Sequence, residues 1–423
     1  MEHVQRNLKM RLNSFSVSNF MVFFLFVLVS CRCVRITEPS LETIETDATI
    51  RDNSSSIAGK LFDRFVVIWL ENTNEKTASA DADLRWLAER GITLTNYWAL
   101  THPSEPNYIA SVSGDTFGLD KDSFITIPSN ISTVVDLLET ENITWGEYQE
   151  DLPYSGFQGL TFSSHDNSAK GYVRKHNPLI SFDSITNNSS RLSKIKNFTE
   201  FHNDLGRHEL PSWMFIAPNM MNDGHDSNIE TAGRWCRKFV EPLFDNEYFI
   251  SKTLMLITFD ENESYSEANK VWALLLGGVI DKSHLNTSDN TYYTHYSELS
   301  TVENNWDLCN LGRNDTNNNG NANVFKVLAE KSGYTNRYVD TVNQYFNKPI
   351  RGYWSGHKIL PGINCSAIGT SDKGVLIKIK NTWCNVRDRV NSSRTSTAPL
   401  SRSHNEYVVG MVLSFSFIFI YLY

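Results

Sequence analysis

Two apolar runs in this 423-residue chain end in neighbouring oxygen-bearing side chains: 65–70 (FVVIWL) leads into Glu71 and Asn72, and 253–259 (TLMLITF) into Asp260 and Glu261. Such runs suit strands buried on both faces of a parallel sheet, and open α/β sheets hold their ligands at the carboxyl ends of strands. Four oxygen donors from two strands can therefore meet in one crevice. Three carboxylates and an amide so placed repel one another without a cation, and an all-oxygen set suits Ca²⁺, Mg²⁺ or Mn²⁺, with Zn²⁺ also able to accept it. Either pair alone reads as a solvated strand-to-loop turn; the two together favour a divalent metal site. Asn262 begins an Asn-x-Ser acceptor beside this site and is expected to stay unmodified, because a glycan there would block it.

A nucleophile and proton carriers are also available. Ser104 lies in THPSEPNY (101–108), in a turn stiffened by Pro103 and Pro106. A metal beside its oxygen would lower the hydroxyl pKa enough for attack without a histidine base. His176 (in RKHNP), His225 (in NDGHD) and His295 (in YTHYS) can each donate to a phosphoryl oxygen or protonate a leaving alkoxide. Taken singly, the Pro-bounded turn is a polar loop tip and each histidine is structural or merely exposed. The segment 315–320 (DTNNNG) matches the first half of an EF-hand loop, but Lys326 stands at the twelfth position where a bidentate Glu is needed. It reads as an Asn/Gly-rich loop.

The elements that must position these groups alternate along the chain. Besides the two runs above, 213–217 (WMFIA) and 271–276 (VWALLL) predict short buried strands, and 77–90 and 132–140 predict helices. The fold class is α/β with a mostly parallel central sheet. The expected organisation is a signal peptide at 1–33, a linker at 34–60, a catalytic domain at 61–332, a small C-terminal extension packed on it at 333–386, a polar spacer at 387–406 and a hydrophobic tail at 407–423.

Composition and the two ends point outside the cell. With 48 Asp and Glu against 39 Lys and Arg, the formal charge of −9 argues against a nucleic-acid partner. The 24 Phe, 17 Tyr and 10 Trp can bury a substantial core, which excludes a disordered or collagen-like chain. Arg6, Lys9 and Arg11 precede the apolar run 20–30, the pattern of a secretory signal too short to span a bilayer. Its removal after Cys33 deletes four basic residues and one acidic one, leaving −12. The terminal run 407–423 follows small residues at 391–393 and a polar spacer, which fits a GPI-attachment signal better than a spanning helix or a buried strand. Acceptors for N-linked glycans at Asn53, Asn130, Asn142, Asn187, Asn188, Asn197, Asn286, Asn314, Asn364 and Asn391 agree with a cell-surface protein. Once Cys31 and Cys33 are gone, Cys236, Cys309, Cys365 and Cys384 predict two disulfides, with Cys365–Cys384 favoured as the nearest pair.

Seven separated blocks resemble the secreted fungal acid phosphatases of the phosphoesterase family, which also contains bacterial phospholipases C. They are ENTN at Glu71, HPSEPNY at His102, YQEDLP at Tyr148, KHNPL at Lys175, WMFIAPNMMNDGHD at Trp213, ITFDEN at Ile257 and YTHYSELSTVENNWDLCNLGR at Tyr293. The resemblance implies a three-layer alkaline-phosphatase-like core and a metal-assisted attack of serine on a phosphate ester. Position by position it implies Glu71, Asn72, Ser104, Asp260 and Glu261 as metal ligands, Ser104 as nucleophile, and His176 and His225 at the phosphoryl group. Asn107 and Lys175, in the same blocks, are assigned to substrate binding. Lys175 departs from the His-His pair of the phospholipase branch, and the catalytic role of His295 rests on its chemistry alone. The expected function is a cell-surface acid phosphatase acting on small phosphate monoesters. A phospholipase C-type phosphodiesterase would use the same residues, and a non-catalytic wall protein on the same fold is the alternative outside enzymes.

Overall fold

The computed structural model describes residues 57–163, 171–316, 319–341, 350–355 and 363–384. The segments expected to be a signal peptide, a polar spacer and a GPI-type tail, most of the expected linker, and Asn53 and Asn391 lie outside the described residues. Among the described residues no helix is long and apolar enough to cross a membrane.

The sheet is built on the two apolar runs. Every residue of Arg64–Leu70 (β1) is buried, as is every residue of Thr253–Phe259 (β6). Around them stand Ile92–Leu94 (β2), Trp145–Gln149 (β3), Ile195–Asn197 (β4), Trp213–Ala217 (β5), Ala273–Leu276 (β7) and Thr287–Asp289 (β8). The eight strands run in the order β8-β2-β7-β6-β1-β5-β3-β4. All are parallel except β7, which pairs antiparallel with both β6 and β2. The run 271–276 was expected in a parallel sheet. The connection 260–272 holds no helix to carry the chain back across the sheet, so the strand doubles back on its predecessor.

Helices cover both faces. Alternate residues of a strand point to opposite sides. On one side Trp69 meets Tyr108 of helix Ser104–Ser113 (α2), ring centroids 4.7 Å apart, and donates its indole N–H to Glu298 of helix Tyr296–Asn305 (α6) at 3.0 Å. On the other side Tyr148 donates to Asp204 of helix Phe198–Arg207 (α4) at 2.7 Å and packs on Phe201, while Trp235 and Phe239 of helix Ile229–Phe244 (α5) stack on Phe198. The result is three layers around a central sheet. The stretch 77–90 forms two short helices, because Asp81 turns its carboxylate back to accept from the backbone N–H of Asp83 and Leu84, capping Ala82–Ala88 (α1). The stretch 132–140 forms Val134–Thr140 (α3), opened by a capping box between Thr133 and Asp136.

Residues 363–384 pack against this core: Val375, Leu376 and Ile379 are buried, and Lys378 reaches Asp136 at 2.8 Å. A disulfide joins Cys365 and Cys384. The second expected disulfide is not formed, since Cys236 and Cys309 are both free. Cys236 is buried in α5 and Cys309 follows α6, so the two lie in layers on opposite faces of the sheet.

Candidate active site

The register of the sheet builds the site. Leu70 and Phe259 are direct partners in neighbouring parallel strands, so Glu71 and Asp260 emerge side by side, and the Asp260 N–H donates to Leu70 O at 3.2 Å. The loop after β5 joins them through the Glu71 N–H, which donates to Asp223 O at 3.0 Å. Above these strand ends α2 begins with Ser104, which is 2% exposed. Its hydroxyl donates to Glu71 Oε1 at 2.6 Å and lies 3.3 Å from Glu261 Oε1. Asn72 Nδ2 donates to the same Glu261 oxygen at 3.3 Å.

Fixed cations flank the carboxylates. Lys175 Nζ sits 3.2 Å from Glu71 Oε1 and 3.1 Å from Asp122 Oδ2. Burial works against its charge, but these two carboxylates outweigh burial and raise its pKa. His176 touches Glu71 through Nε2 and lies 3.3 Å from Asp223 Oδ2 through Nδ1. Burial again opposes the charge, and Glu71 and Asp223 overcome it, carrying the imidazole up to about 9. The same contacts hold Glu71 far below the carboxylate range, against its own burial. Asp260 goes the other way, pushed well up by burial and by the charges on Glu71 and Glu261. Burial also raises Glu261 and Asp223, although His102 and His176 partly offset it. His102 Nδ1 lies 2.8 Å from Glu261 Oε2.

This set of groups fits a divalent cation. Glu71 Oε2 and Asp223 Oδ2 face the imidazole of His176 and Glu261 Oε2 that of His102, while Asp260 Oδ2 is buried without a hydrogen bond. Four buried carboxylates in one crevice, beside one lysine and two histidines, supply the oxygen donors a hard cation requires. The ligand atoms of Glu71, His176 and Asp223 all lie within 4.8 Å of one another, a spacing at which three residues could hold one ion.

Comparison with known proteins shows the family of the chain. The profile of the Phosphoesterase family matches residues 42–309. The chain belongs to this family. The phosphoesterase is 52% identical over 349 residues to a probable acid phosphatase of Kluyveromyces lactis, covering 82% of each chain. It is 46% identical to an acid phosphatase of Aspergillus fumigatus, over 88% of this chain and 84% of that one. A phosphatidylinositol-3-phosphatase of Mycobacterium tuberculosis is 31% identical over 51% of this chain and 67% of its own. Among solved structures, a protein of the alkaline phosphatase superfamily from Vibrio parahaemolyticus superposes with a TM-score of 0.38 at 12% identity, covering 59% of this chain and 67% of that one.

In this phosphoesterase the structure brings together Glu71, Asn72, Ser104, Lys175, His176, Asp260 and Glu261, while of the other expected residues His225 stands at the mouth of the site and His295 and Asn107 serve the fold around it. His295 is fully buried behind it, stacked on Trp69 with centroids 4.2 Å apart and with Nε2 2.7 Å from the backbone oxygen of Asp260. It braces a strand end, and a shell of protein separates it from any leaving group. His225 stays at the mouth, its side chain 34% exposed and its Nδ1 paired with Asp226 at 2.7 Å, while its backbone N–H donates to Asp223 Oδ1 at 2.8 Å.

Asn107 is consumed by the fold. Its oxygen accepts from the N–H of Leu100 and Thr101, and its nitrogen donates to the carbonyls of Thr101 and Pro103. It ties the loop that presents Ser104, so Asn107→Ala is expected to cost about 2–4 kcal/mol of stability by orphaning two buried N–H groups. The midpoint of a denaturant titration checks this.

Asp223, His102, Asp122 and Glu150 were not anticipated. Asp223 and His102 lie within the very blocks that were singled out, two residues from His225 and Ser104. Glu150, in YQEDLP, accepts from the Asn219 N–H and from the side chains of Asn222 and Trp235, which anchors the loop that carries Asp223.

Proposed function

We propose that this phosphoesterase is an acid phosphatase that hydrolyses phosphate monoesters with Ser104 as its nucleophile. The observation that carries the reading is the Ser104 hydroxyl, buried at the first residue of a ten-residue helix and hydrogen-bonded to Glu71 within a cluster of buried carboxylates. A helix N-terminus favours phosphoryl oxygens through its free N–H groups and dipole. Glu71, Asn72, Asp260 and Glu261, with Ser104, would hold a divalent cation, and Asp223 and His176 stand close enough to complete its surroundings. Such an ion lowers the pKa of a neighbouring hydroxyl and offsets phosphoryl charge.

The chain's own groups supply the rest. Ser104 passes its proton to a neighbouring carboxylate and attacks phosphorus in line; the Ser104 O–P bond forms as the ester O–P bond breaks. Lys175 places its ammonium against a non-bridging oxygen. His225, with Nδ1 held by Asp226, gives the leaving oxygen its proton through Nε2. Water then attacks phosphorus, giving up a proton to His225; the Ser104 O–P bond breaks, the carboxylate returns its proton to the Ser104 oxygen, and phosphate leaves.

The ends of the chain support export, glycosylation and a GPI anchor as further parts of this reading. Asn130, Asn142, Asn187, Asn188, Asn286 and Asn364 are exposed and open to glycans. The amide nitrogen of Asn262 is engaged by Ser264 O and Ala268 O in a residue 1% exposed, which supports its remaining unmodified. Hydrolysis of a chromogenic phosphate monoester and its diester analogue between about pH 4 and 8 tests the activity, using chain truncated before Tyr407. Turnover of the monoester, strongest in acid, is expected. Preference for the diester would move the assignment to phospholipase-type chemistry.

A further inference from the structure

Twelve large apolar side chains are exposed among the described residues, five of them aromatic, and two of these aromatics stand against the site. Tyr265 is 61% exposed, and its ring stacks on His102 with centroids 4.1 Å apart and planes 26° from parallel. His102 in turn contacts Glu261, so the ring lies one residue away from a carboxylate of the cluster. Phe124 is 54% exposed, and the guanidinium of Arg174 lies 4.4 Å from its ring centroid. Arg174 is itself fixed from below, donating to Ile180 O at 2.6 Å and Gln158 O at 3.1 Å. It directly precedes Lys175, and Phe124 stands two residues after Asp122, the partner of Lys175. Each ring is thus seated on a residue that contacts the site or adjoins one that does.

What distinguishes Tyr265 and Phe124 from the other exposed rings is their seat on His102 and Arg174 beside the crevice, where a bound ligand would cover their apolar surface. Both are held in place by cations or an imidazole beneath, which fixes their orientation in advance of binding. The phosphoryl group of a monoester belongs among Ser104, Lys175 and His176, so its leaving group must project outward past the rim these rings occupy.

We propose that Tyr265 and Phe124 form the walls of a leaving-group subsite that selects phosphate monoesters with an aromatic or extended apolar leaving group over those of small polyols. This inference rests on the phosphatase reading above. It assigns no chemical step to either ring; both contribute contact area to the ester side of the substrate.

The test uses two competitive ligands that cannot react, phenylphosphonate and methylphosphonate, and two substrates, 4-nitrophenyl phosphate and glycerol 2-phosphate. In Tyr265→Ala and in Phe124→Ala the ratio of Ki for phenylphosphonate to Ki for methylphosphonate should rise about three- to tenfold, the range of a lost aromatic contact. The ratio of KM for the two substrates should follow it, and Tyr265→Phe, which keeps the ring, should restore the wild-type ratio. Equal changes for both phosphonates would overturn the inference, assigning Tyr265 to the support of His102 alone. So would ratios unchanged in both alanine variants. If the wild-type chain turns over neither monoester, the phosphatase reading itself falls; monoester turnover with unchanged ratios removes only the subsite.

Discussion

Ser104→Ala is expected to lower turnover of a phosphate monoester by at least about 10³-fold while leaving the chain folded, because a lost nucleophile commonly costs 10³ to 10⁶. Ser104 Oγ is the hydroxyl at the centre of the carboxylate cluster, and no other serine or threonine is recorded in contact with Glu71 among the described residues. The fold has little reason to fail. Alanine is a good helix former, and the two carboxylates that lose a donor keep other partners: Lys175 and His176 at Glu71, His102 and Asn72 at Glu261. The loss in stability should therefore stay near 1 kcal/mol. Steady-state kinetics and a thermal melt measure the two sides of this prediction. A further readout separates covalent catalysis from direct attack by water: wild-type enzyme quenched in acid during turnover should carry phosphate on the peptide containing Ser104, and the variant should carry none. Undiminished activity in Ser104→Ala would sink the mechanism.

What the sequence disclosed follows the physics of each element. The central strands were legible because burial on both faces demands continuous apolar runs, as in FVVIWL and TLMLITF. Strands of three residues at or next to the sheet edge, such as ITL at 92–94, IKN at 195–197 and TSD at 287–289, carry too few residues to stand out. The metal-type donors Glu71, Asp260 and Glu261 were legible because a strand end is a defined place in an α/β fold; the parallel register of β1 and β6 then aligns them without further information. Loop residues lack that anchor. In NDGHD the histidine has the more versatile chemistry, yet it is Asp223 that enters the cluster, because the Glu71 N–H fixes the loop at the Asp223 carbonyl and Glu150 anchors its other side. That choice depends on long-range hydrogen bonds that no local pattern encodes. His295 shows the converse: a histidine at a helix start has the features of a site residue, and only its stacking on Trp69 places it behind the strand end rather than in the crevice. Asn107 was misread for a similar reason, since four backbone contacts within its own loop use up its amide.

The second large effect concerns the charge of the crevice. Glu71, Asp223, Asp260 and Glu261 place four carboxylates in one buried space, where burial and mutual repulsion already hold Asp260 well above its ordinary range. A group that costs this much to ionise is stabilised by a cation and released by its neutralisation. Stripping divalent ions with a chelator should therefore lower both activity and melting temperature, and restoring an ion at about one hundred times its Kd should return about 3 kcal/mol of stability. Asp260→Asn separates this from a general effect of chelator. The amide removes one negative charge and keeps the shape, so in chelator the variant should be at least as stable as wild type. With the ion restored the order should invert, because the variant has lost a donor oxygen and gains less from binding. Its turnover should fall by at least about 10²-fold at any ion concentration that leaves the site partly filled. The inversion is the decisive observation. A variant less stable than wild type with and without ion would assign Asp260 to packing, through its N–H bond to Leu70 and the brace from His295, and a melting temperature indifferent to divalent ions in both proteins would remove the cation from the site altogether.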